Sequence, residues 1–595
     1  MRRFLALAAE LSLIEAFSLA ASVSAVTEND LLEATRQWIE GDPDPKTRET
    51  LQALVDAGDR AAMADAMGEP LTFGTAGIRG EVGPGSGRMN RATVIRTTRG
   101  LADYLITKHN GTPDRPVALG FDARPDSRTF AEDAAGVLAA AGIGVRFFPE
   151  VTPTPLVAFA AKHLDASAAV VITASHNPPA DNGYKVYDRN AAQIVPPTDA
   201  EIAAAIERVG PARDVPRIEG VFAGASDLVT QMPDDILAAY ELELNSARPN
   251  PQRSDLRIVY TPLHGVGGDT LTRLFVSANH SGLLPVAEQA RPDGAFPTVT
   301  FPNPEEAGAL DLALNLAREV DADLVLANDP DADRLAAAVP MAGEWRLLSG
   351  NELGSLLGDY VLRYWRYPEP PIVVNSIVSS PMLGRIAARR GAVHEATLTG
   401  FKWIINAGLA LEGDGAGRFA FGYEEALGYS VGQTVRDKDG LSAAVVMADL
   451  AAEEASAGRS VLDRLHDLWD EVGLWVSAQH SIVRAGPEGQ AALLAAVDRL
   501  GSGPPSSVHG IEVTGMTDYR LGEKERPIWL GKQDLIELSL GDSGRVLVRP
   551  SGTEPKLKIY VDLAHPVDSH HDAAHQSLLA EAQSLATAMG EWLEV

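Results

Sequence analysis

No cysteine occurs among the 595 residues. That removes disulfides, thiolate metal sites, iron–sulfur clusters and thiol nucleophiles together, and it suits a reducing compartment. Basic residues are scarce: 51 Lys and Arg against 81 Asp and Glu leave a net charge of −30. Such a field repels nucleic acid and anionic membranes, so neither is expected as a partner. No apolar run reaches the roughly 18 residues that a membrane span needs. No G-x-x-x-x-G-K-[ST] loop is present either, which argues against ATP as a phosphoryl donor.

The N-terminus imitates a secretory signal, with Arg2 and Arg3, the run FLALAA, and SVSA ending at Ala25. Glu10 and Glu15 fall where an uninterrupted apolar stretch should run. Residues 1–40 are therefore expected to be an extension, helical or disordered, on a cytoplasmic protein.

With 45% hydrophobic residues, a chain of this length has material for about four cored domains. From Thr93 onward, amphipathic helices alternate with short apolar strands: VALGF at 117–121, an Ala-rich helix at 130–141, a strand at 144–148, and AAVVIT at 168–173. That alternation predicts a mostly parallel sheet. RIVYT at 257–261 starts a second αβ block, which contains the strand DLVLA at 323–327. A third begins near Leu347, with a helix over GNELGSLLGDYVL and the strand IVVN at 372–375. Inside it RFAFGYEEALGYS, residues 418–430, reads as a loop. The last block has a linker GSGPPSS at 501–507, a hairpin at 545–564 and a closing helix. The expected architecture is thus three related α/β domains plus a C-terminal α+β domain around a central cleft, divided as 41–210, 211–345, 346–474 and 475–595. No repeat is visible as sequence identity, although three successive αβ blocks permit a repeated fold.

The polar loops carry the chemistry. In DPDADR, Asp329, Asp331 and Asp333 alternate, so that an extended loop would present all three to one side, as a hard divalent cation such as Mg²⁺ requires. A calcium hand would need Gly at its sixth place and Glu at its twelfth, where Arg334 and Pro340 stand. The competing reading is a solvated acidic turn. In TASHNPP a serine hydroxyl, Ser175, leaves a buried strand beside His176 and Asn177, with Lys185 further on; it is either a nucleophile or an ordinary turn residue. RPSGTEPKLK offers Arg549, the hydroxyls of Ser551 and Thr553, and Gly552, the parts of a phosphate cradle. FGTAGIRG, with Arg79, and TLTGFKW, with Thr399, Gly400 and Lys402, each join glycine to a cation. In GYEEALGY, Glu424 and Glu425 stand among aromatics, where a carboxylate can accept sugar hydroxyls.

TASHNP, DPDADR, GYEEALGY and RPSGTEPK, in this order and at these spacings, closely resemble the four signature loops of the α-D-phosphohexomutase superfamily, over roughly residues 70–565. FGTAGIRG and TLTGFKW resemble its phosphoglucomutase/phosphopentomutase branch. The resemblance implies a heart-shaped four-domain fold and a phosphosugar mutase. Such an enzyme interconverts sugar 1-phosphates and 6-phosphates of glucose or mannose, or alternatively pentose 1- and 5-phosphates, through a bisphosphate. A sugar bisphosphate would act as activator, and the protein would be a monomer or homodimer. Residue by residue, the resemblance makes Ser175 the phosphoserine and gives Mg²⁺ to Asp329, Asp331, Asp333 and the serine's phosphate. Arg334, His176, Lys185 and Arg79 would lie near the transferring group, with Lys185 or His176 as proton carrier. Glu424, Thr399, Gly400 and Lys402 would orient the sugar, while Arg549, Ser551, Gly552 and Thr553 would grip the other phosphate. Where hexose enzymes often have a serine, two residues after Glu424, this chain has Ala426.

Two further patterns point elsewhere. GYSVG offers Ser430 as a hydrolase nucleophile, but helical patterning resumes only near Leu441 rather than directly after it. His571 and His575 have metal-ligand spacing without a third ligand, and a solvated helix face is expected there.

Overall fold

The computed structural model describes residues 28–593, except 76, 552–555 and 567–569. Among these residues, no helix is long and apolar enough to cross a membrane.

Three sheets follow one another along the chain, and all are built the same way. In the first, Val117–Phe121 and Ala168–Ile172 are buried along their whole length. These β-branched and small apolar residues form parallel strands covered by helices on both faces. Val117–Phe121 pairs in parallel with Val145–Phe147 on one side and with Ala168–Ile172 on the other. Asp181–Tyr187 then returns antiparallel to Ala168–Ile172. The second sheet repeats that order with Ile258–Thr261, Leu283–Pro285, Leu324–Ala327 and the antiparallel Ala336–Met341. The third does so with Pro371–Ser376, Val393–Thr397, Arg418–Glu424 and the antiparallel Gly428–Val431. The three αβ blocks are therefore one fold used three times. In each, the turn between third and fourth strands is a chemistry-bearing loop.

Several expectations change in detail. The stretch 418–430, expected as a loop, is a β-hairpin: Phe419, Phe421 and Tyr423 alternate along a strand whose Gly422 pairs with Ser430. The first sheet also takes in Val229–Gln231, parallel to Val145–Phe147, so it continues past the expected division at 210/211. Helix Glu28–Gly41 lies largely within the expected 1–40 extension and packs on the first unit, where Arg213 Nη2 donates to Asp42 O at 3.5 Å. Residues 1–27, which include the signal-like segment, lie outside the described residues.

The final unit is α+β. Its antiparallel sheet runs in the order Leu474–Val483, Lys556–His565, Gly544–Pro550, Ile536–Ser539, Gly515–Asp518. Helices Gly486–Ser502 and His571–Trp592 pack on it.

Buried ion pairs join the units. Arg248, after helix Ile236–Ala247, donates from Nε at 2.8 Å to Asp449 of helix Gly440–Ser456, with a second contact through Nη2, and His280 Nε2 lies 3.1 Å from the same carboxylate. Removing one partner of such a pair leaves an uncompensated buried charge. Asp449→Ala is therefore expected to lower the unfolding free energy by about 3–5 kcal/mol in chemical denaturation. A loss below about 1 kcal/mol, the size of an exposed pair, would contradict this reading of the interface.

Candidate active site

The hairpin turns of the first two sheets meet at Ser175. Its chain leaves the strand at Ile172 and turns when the Ser175 N–H donates to Thr173 Oγ1 at 2.9 Å. Ser175 has φ 52°, in the left-handed region that a non-glycine residue adopts only when its surroundings enforce it. The hydroxyl is buried and donates to Asp329 Oδ2 at 2.8 Å, with His176 Nδ1 at 3.2 Å.

Asp329, Asp331 and Asp333 are all buried, and one oxygen from each lies within 4.8 Å of the others. This excludes the solvated acidic turn. The carboxylates do not converge through an extended loop, because Ala332 has φ 59° and bends it. The bend is held by Asn328 Nδ2 donating to Arg334 O at 2.5 Å and by the Arg334 N–H donating to Asp329 Oδ1 at 3.0 Å. Asp331 Oδ1 and Asp333 Oδ1 are buried without a hydrogen-bond partner. Unpartnered buried carboxylate oxygens beside a third carboxylate are the donor set a hard cation requires, so the residues present fit a metal ion.

Protein cations surround the cluster. Lys185 Nζ lies 2.6 Å from Asp331 Oδ2 and 2.9 Å from Asp333 Oδ2, and Lys438 Nζ lies 3.3 Å from Asp333 Oδ2. Burial alone would lower the Lys185 pKa, but Asp331 and Asp333 outweigh it and the group is held charged. Lys438 behaves likewise through Asp333 and Asp437. Burial and its two acidic neighbours push the Asp329 carboxyl well above the usual carboxylate range. Burial also acts on Asp331, but there Lys185 reverses it and holds that carboxyl below the range. His176 is pushed well below 6.5 by burial and by Arg334 and Arg79, so it stands as the neutral imidazole. Arg79 Nη1 donates to Asn177 Oδ1 at 3.0 Å, on the serine loop itself.

The third sheet supplies the neighbouring wall. Arg334 Nη1 donates to Ala426 O at 2.7 Å and the Leu335 N–H to Leu427 O at 3.0 Å, which joins the metal loop to the hairpin turn. The two glutamates separate in role. Glu425 Oε2 accepts from Ser376 Oγ at 2.9 Å and Ser379 Oγ at 2.8 Å, which commits it to the scaffold. Among the described residues Glu424 has no such hydroxyl partners and lies near Lys438 and Arg334, where burial raises its pKa against their opposing charges. Lys438, in the segment VRDKDG, carries no motif that sequence reasoning detected.

Lys402 and Thr399 sit at the start of helix Phe401–Gly413, which Gly400 enters at φ 111°. Lys402 Nζ reaches across to Thr75 Oγ1 of the first unit, and Thr399 Oγ1 accepts from Gln533 Nε2 of the fourth at 2.7 Å. On that fourth unit Arg549 pairs across the sheet with Lys558, and the Ser551 N–H donates to Lys556 O at 2.7 Å. Gly552 and Thr553 lie outside the described residues.

Other candidates do not join the site. Ser430 is buried within strand Gly428–Val431 and donates to Val435 O at 3.3 Å, which is no nucleophile elbow. His571 and His575 are not on a solvated face. They are half-buried against Trp469, with Nε2 atoms 2.8 Å from Asp470 and 3.4 Å from Glu352, because the closing helix packs on Val461–Val472.

Burial lowers the Lys402 pKa to about 8. The ammonium is thus charged below pH 8 and loses its proton as the pH rises through it. Acylation by an amine-directed reagent is expected to rise at Lys402 with a midpoint near that pH, about two units before an ordinary lysine, when followed by peptide mass spectrometry. A midpoint above pH 10 would show that Lys402 is not desolvated.

The sequence matches four family models in chain order: phosphoglucomutase/phosphomannomutase alpha/beta/alpha domain I over residues 70–213, domain II over 238–342, domain III over 349–472, and the C-terminal domain over 520–572. A probable phosphomannomutase of Haemophilus influenzae is 41% identical over 482 residues, 80% of this chain and 93% of the relative. A phosphopentomutase of Mus musculus is 36% identical over 563 residues, 90% of each. Among solved structures, the open form of parafusin, a Paramecium phosphoglucomutase, shares the fold with a TM-score of 0.67 at 17% identity, covering 87% of this chain and 95% of that one. With all four models matched in order and relatives this similar along most of the chain, the chain belongs to the phosphoglucomutase/phosphomannomutase family.

Proposed function

We infer that the protein is a phosphosugar mutase that interconverts the 1- and 6-phosphates of glucose or mannose, with Ser175 carrying the transferred phosphoryl group. The observation that supports this most is the hydroxyl of Ser175, 2.8 Å from one member of a buried carboxylate triplet whose other members keep unpartnered oxygens. Phosphoryl transfer needs positioning and charge neutralisation more than covalent help from the protein. Asp329, Asp331 and Asp333 would hold Mg²⁺, which when bound supplies positive charge against the phosphoryl oxygens.

The chain's own residues do the rest. Lys185, Arg79 and Arg334 offer further positive charge around Ser175. His176 Nδ1, neutral and 3.2 Å from the serine oxygen, can hold the proton that leaves a hydroxyl as its oxygen bonds to phosphorus. A sugar hydroxyl takes the phosphoryl group from Ser175, the resulting bisphosphate turns round, and Ser175 takes the other phosphoryl back. A turning intermediate needs a distal grip, and Arg549, Ser551, Gly552 and Thr553 on the fourth unit are assigned that role. A sugar bisphosphate would prime an unphosphorylated Ser175. Glu424 accepts sugar hydroxyls, and Thr399, Gly400 and Lys402 orient the sugar.

A pentose phosphate is the second reading. Ala426 presents its backbone oxygen to Arg334 and brings no side-chain hydroxyl to the sugar, and the mouse relative named phosphopentomutase matches 90% of both chains.

Intact-mass and peptide analysis of active enzyme should find one phosphoryl group on Ser175, and Ser175→Ala should lose nearly all turnover while staying folded. Asp331→Asn should lower kcat by about 10²-fold or more, and chelation of divalent cations should abolish turnover. Full activity of Ser175→Ala would refute the assignment. Comparing kcat/KM for glucose 1-phosphate, mannose 1-phosphate and ribose 1-phosphate decides the sugar. The Ala426 pocket predicts discrimination of less than about 10⁴ among them, since larger ratios need dedicated hydroxyl partners.

A further inference from the structure

We propose that Arg124 is the positioning residue that holds Ser175 in its transferring geometry, acting through the backbone of the serine loop and backed by the second unit. This rests on Ser175 being the phosphoryl carrier.

Arg124 follows the end of strand Val117–Phe121, in FDARPDS, and is buried at 3% exposure. Its Nη1 donates to the carbonyls of Pro178 at 2.6 Å and Asp181 at 2.7 Å; its Nη2 donates to those of Ser175 at 2.8 Å and Asn177 at 2.7 Å. One guanidinium thus gathers four carbonyl oxygens from seven consecutive residues around the reacting serine. Asp122 steadies it, with Oδ1 accepting the Arg124 N–H at 3.0 Å and Oδ2 lying 3.3 Å from Nε. None of these bonds reaches the Ser175 hydroxyl, so Arg124 acts on geometry and not on the reacting atoms.

Two features make the grip consequential. Ser175 sits at φ 52°, a conformation that relaxes unless the surrounding structure over-determines it. Four carbonyls converging on one point repel each other unless donors in a planar fork separate them. A lysine ammonium keeps the charge but cannot reproduce that fork. The far side of Arg124 belongs to the second unit. The Phe296 ring centroid lies 5.2 Å from the guanidinium carbon, and a Cβ on Gly294 would come within 2.6 Å of Arg124 Cα. The unit that brings the carboxylate triplet therefore also seals the residue that aims the serine.

The test uses the full-length enzyme with Arg124→Lys, Arg124→Gln and Ser175→Ala prepared in parallel. Arg124→Gln should lower kcat by about 100-fold, as misplacing a reacting group by an ångström does, and Arg124→Lys should rescue only a small part of that loss. KM for the sugar phosphate should stay within about threefold, because its distal grip lies on the fourth unit. Hydrogen exchange at amides 174–182 should accelerate while other core amides stay protected. Wild-type kcat in Arg124→Lys, or a loss seen entirely in KM, overturns the proposal. If neither Arg124 variant folds, Phe296→Ala keeps the fork but opens it to water. Faster exchange in 174–182 with a lower kcat then supports the proposal, and unchanged values overturn it. An inactive Ser175→Ala beside a normal Arg124→Lys refutes Arg124 alone; an active Ser175→Ala refutes the phosphoserine reading itself.

Discussion

Three carboxylates buried within 4.8 Å of one another are the constraint around which the molecule is organised. Each would cost several kcal/mol to desolvate alone, so the charge must be met from nearby. The second unit, which carries the triplet, supplies only Arg334 from its own loop. Lys185 comes from the first sheet and Lys438 from the segment after the third. Assembly of the first three units and neutralisation of the triplet are thus the same event. A cation of higher charge fits the two carboxylate oxygens that the lysines leave unpartnered.

The repeated sheet explains how one fold delivers three different loops to one place. A parallel strand that ends in an antiparallel return places its turn at the carboxyl edge of the sheet, where open α/β folds present ligand sites. In the first sheet that turn holds a hydroxyl, in the second three carboxylates, in the third a carboxylate near Lys438 and Arg334. The bridge between Arg334 and Gly428 joins the second and third turns through backbone, and the Ser175–Asp329 bond joins the first and second through side chains. The fourth unit breaks the repeat with an antiparallel sheet, in which Gly544–Pro550 and Lys556–His565 pair on either side of the Arg549 loop.

Most of the site's chemistry was legible along the chain because it is local. Asp329, Asp331 and Asp333 lie within five residues, and Ser175 stands at the end of an apolar strand, so spacing and strand ends reveal both. The αβ alternation likewise showed three blocks and an α+β tail. Where local reading failed, a nonlocal contact decided the outcome. The stretch 418–430 reads as a loop because its glycines and glutamates mask the aromatic alternation that packs Phe421 and Tyr423 into the core. His571 and His575 read as solvated because nothing near them in sequence announces Trp469, about a hundred residues earlier.

The order of residues sets which groups are available: a hydroxyl, an acidic triplet, a glutamate pair and a cationic hairpin, on three alternating units and one different one. The packing of the units sets which of them meet. It separated Glu424 from Glu425 by placing Ser376 and Ser379 against the latter. It brought Lys438 to Asp333, Lys402 to Thr75 across 327 residues, and the guanidinium of Arg124 to the carbonyls of the serine loop. Spacing along a strand or turn is a local property that any reader of the chain can measure. Convergence of side chains from separate sheets depends on how whole units pack, through the apolar core they share and the buried charges they compensate for one another.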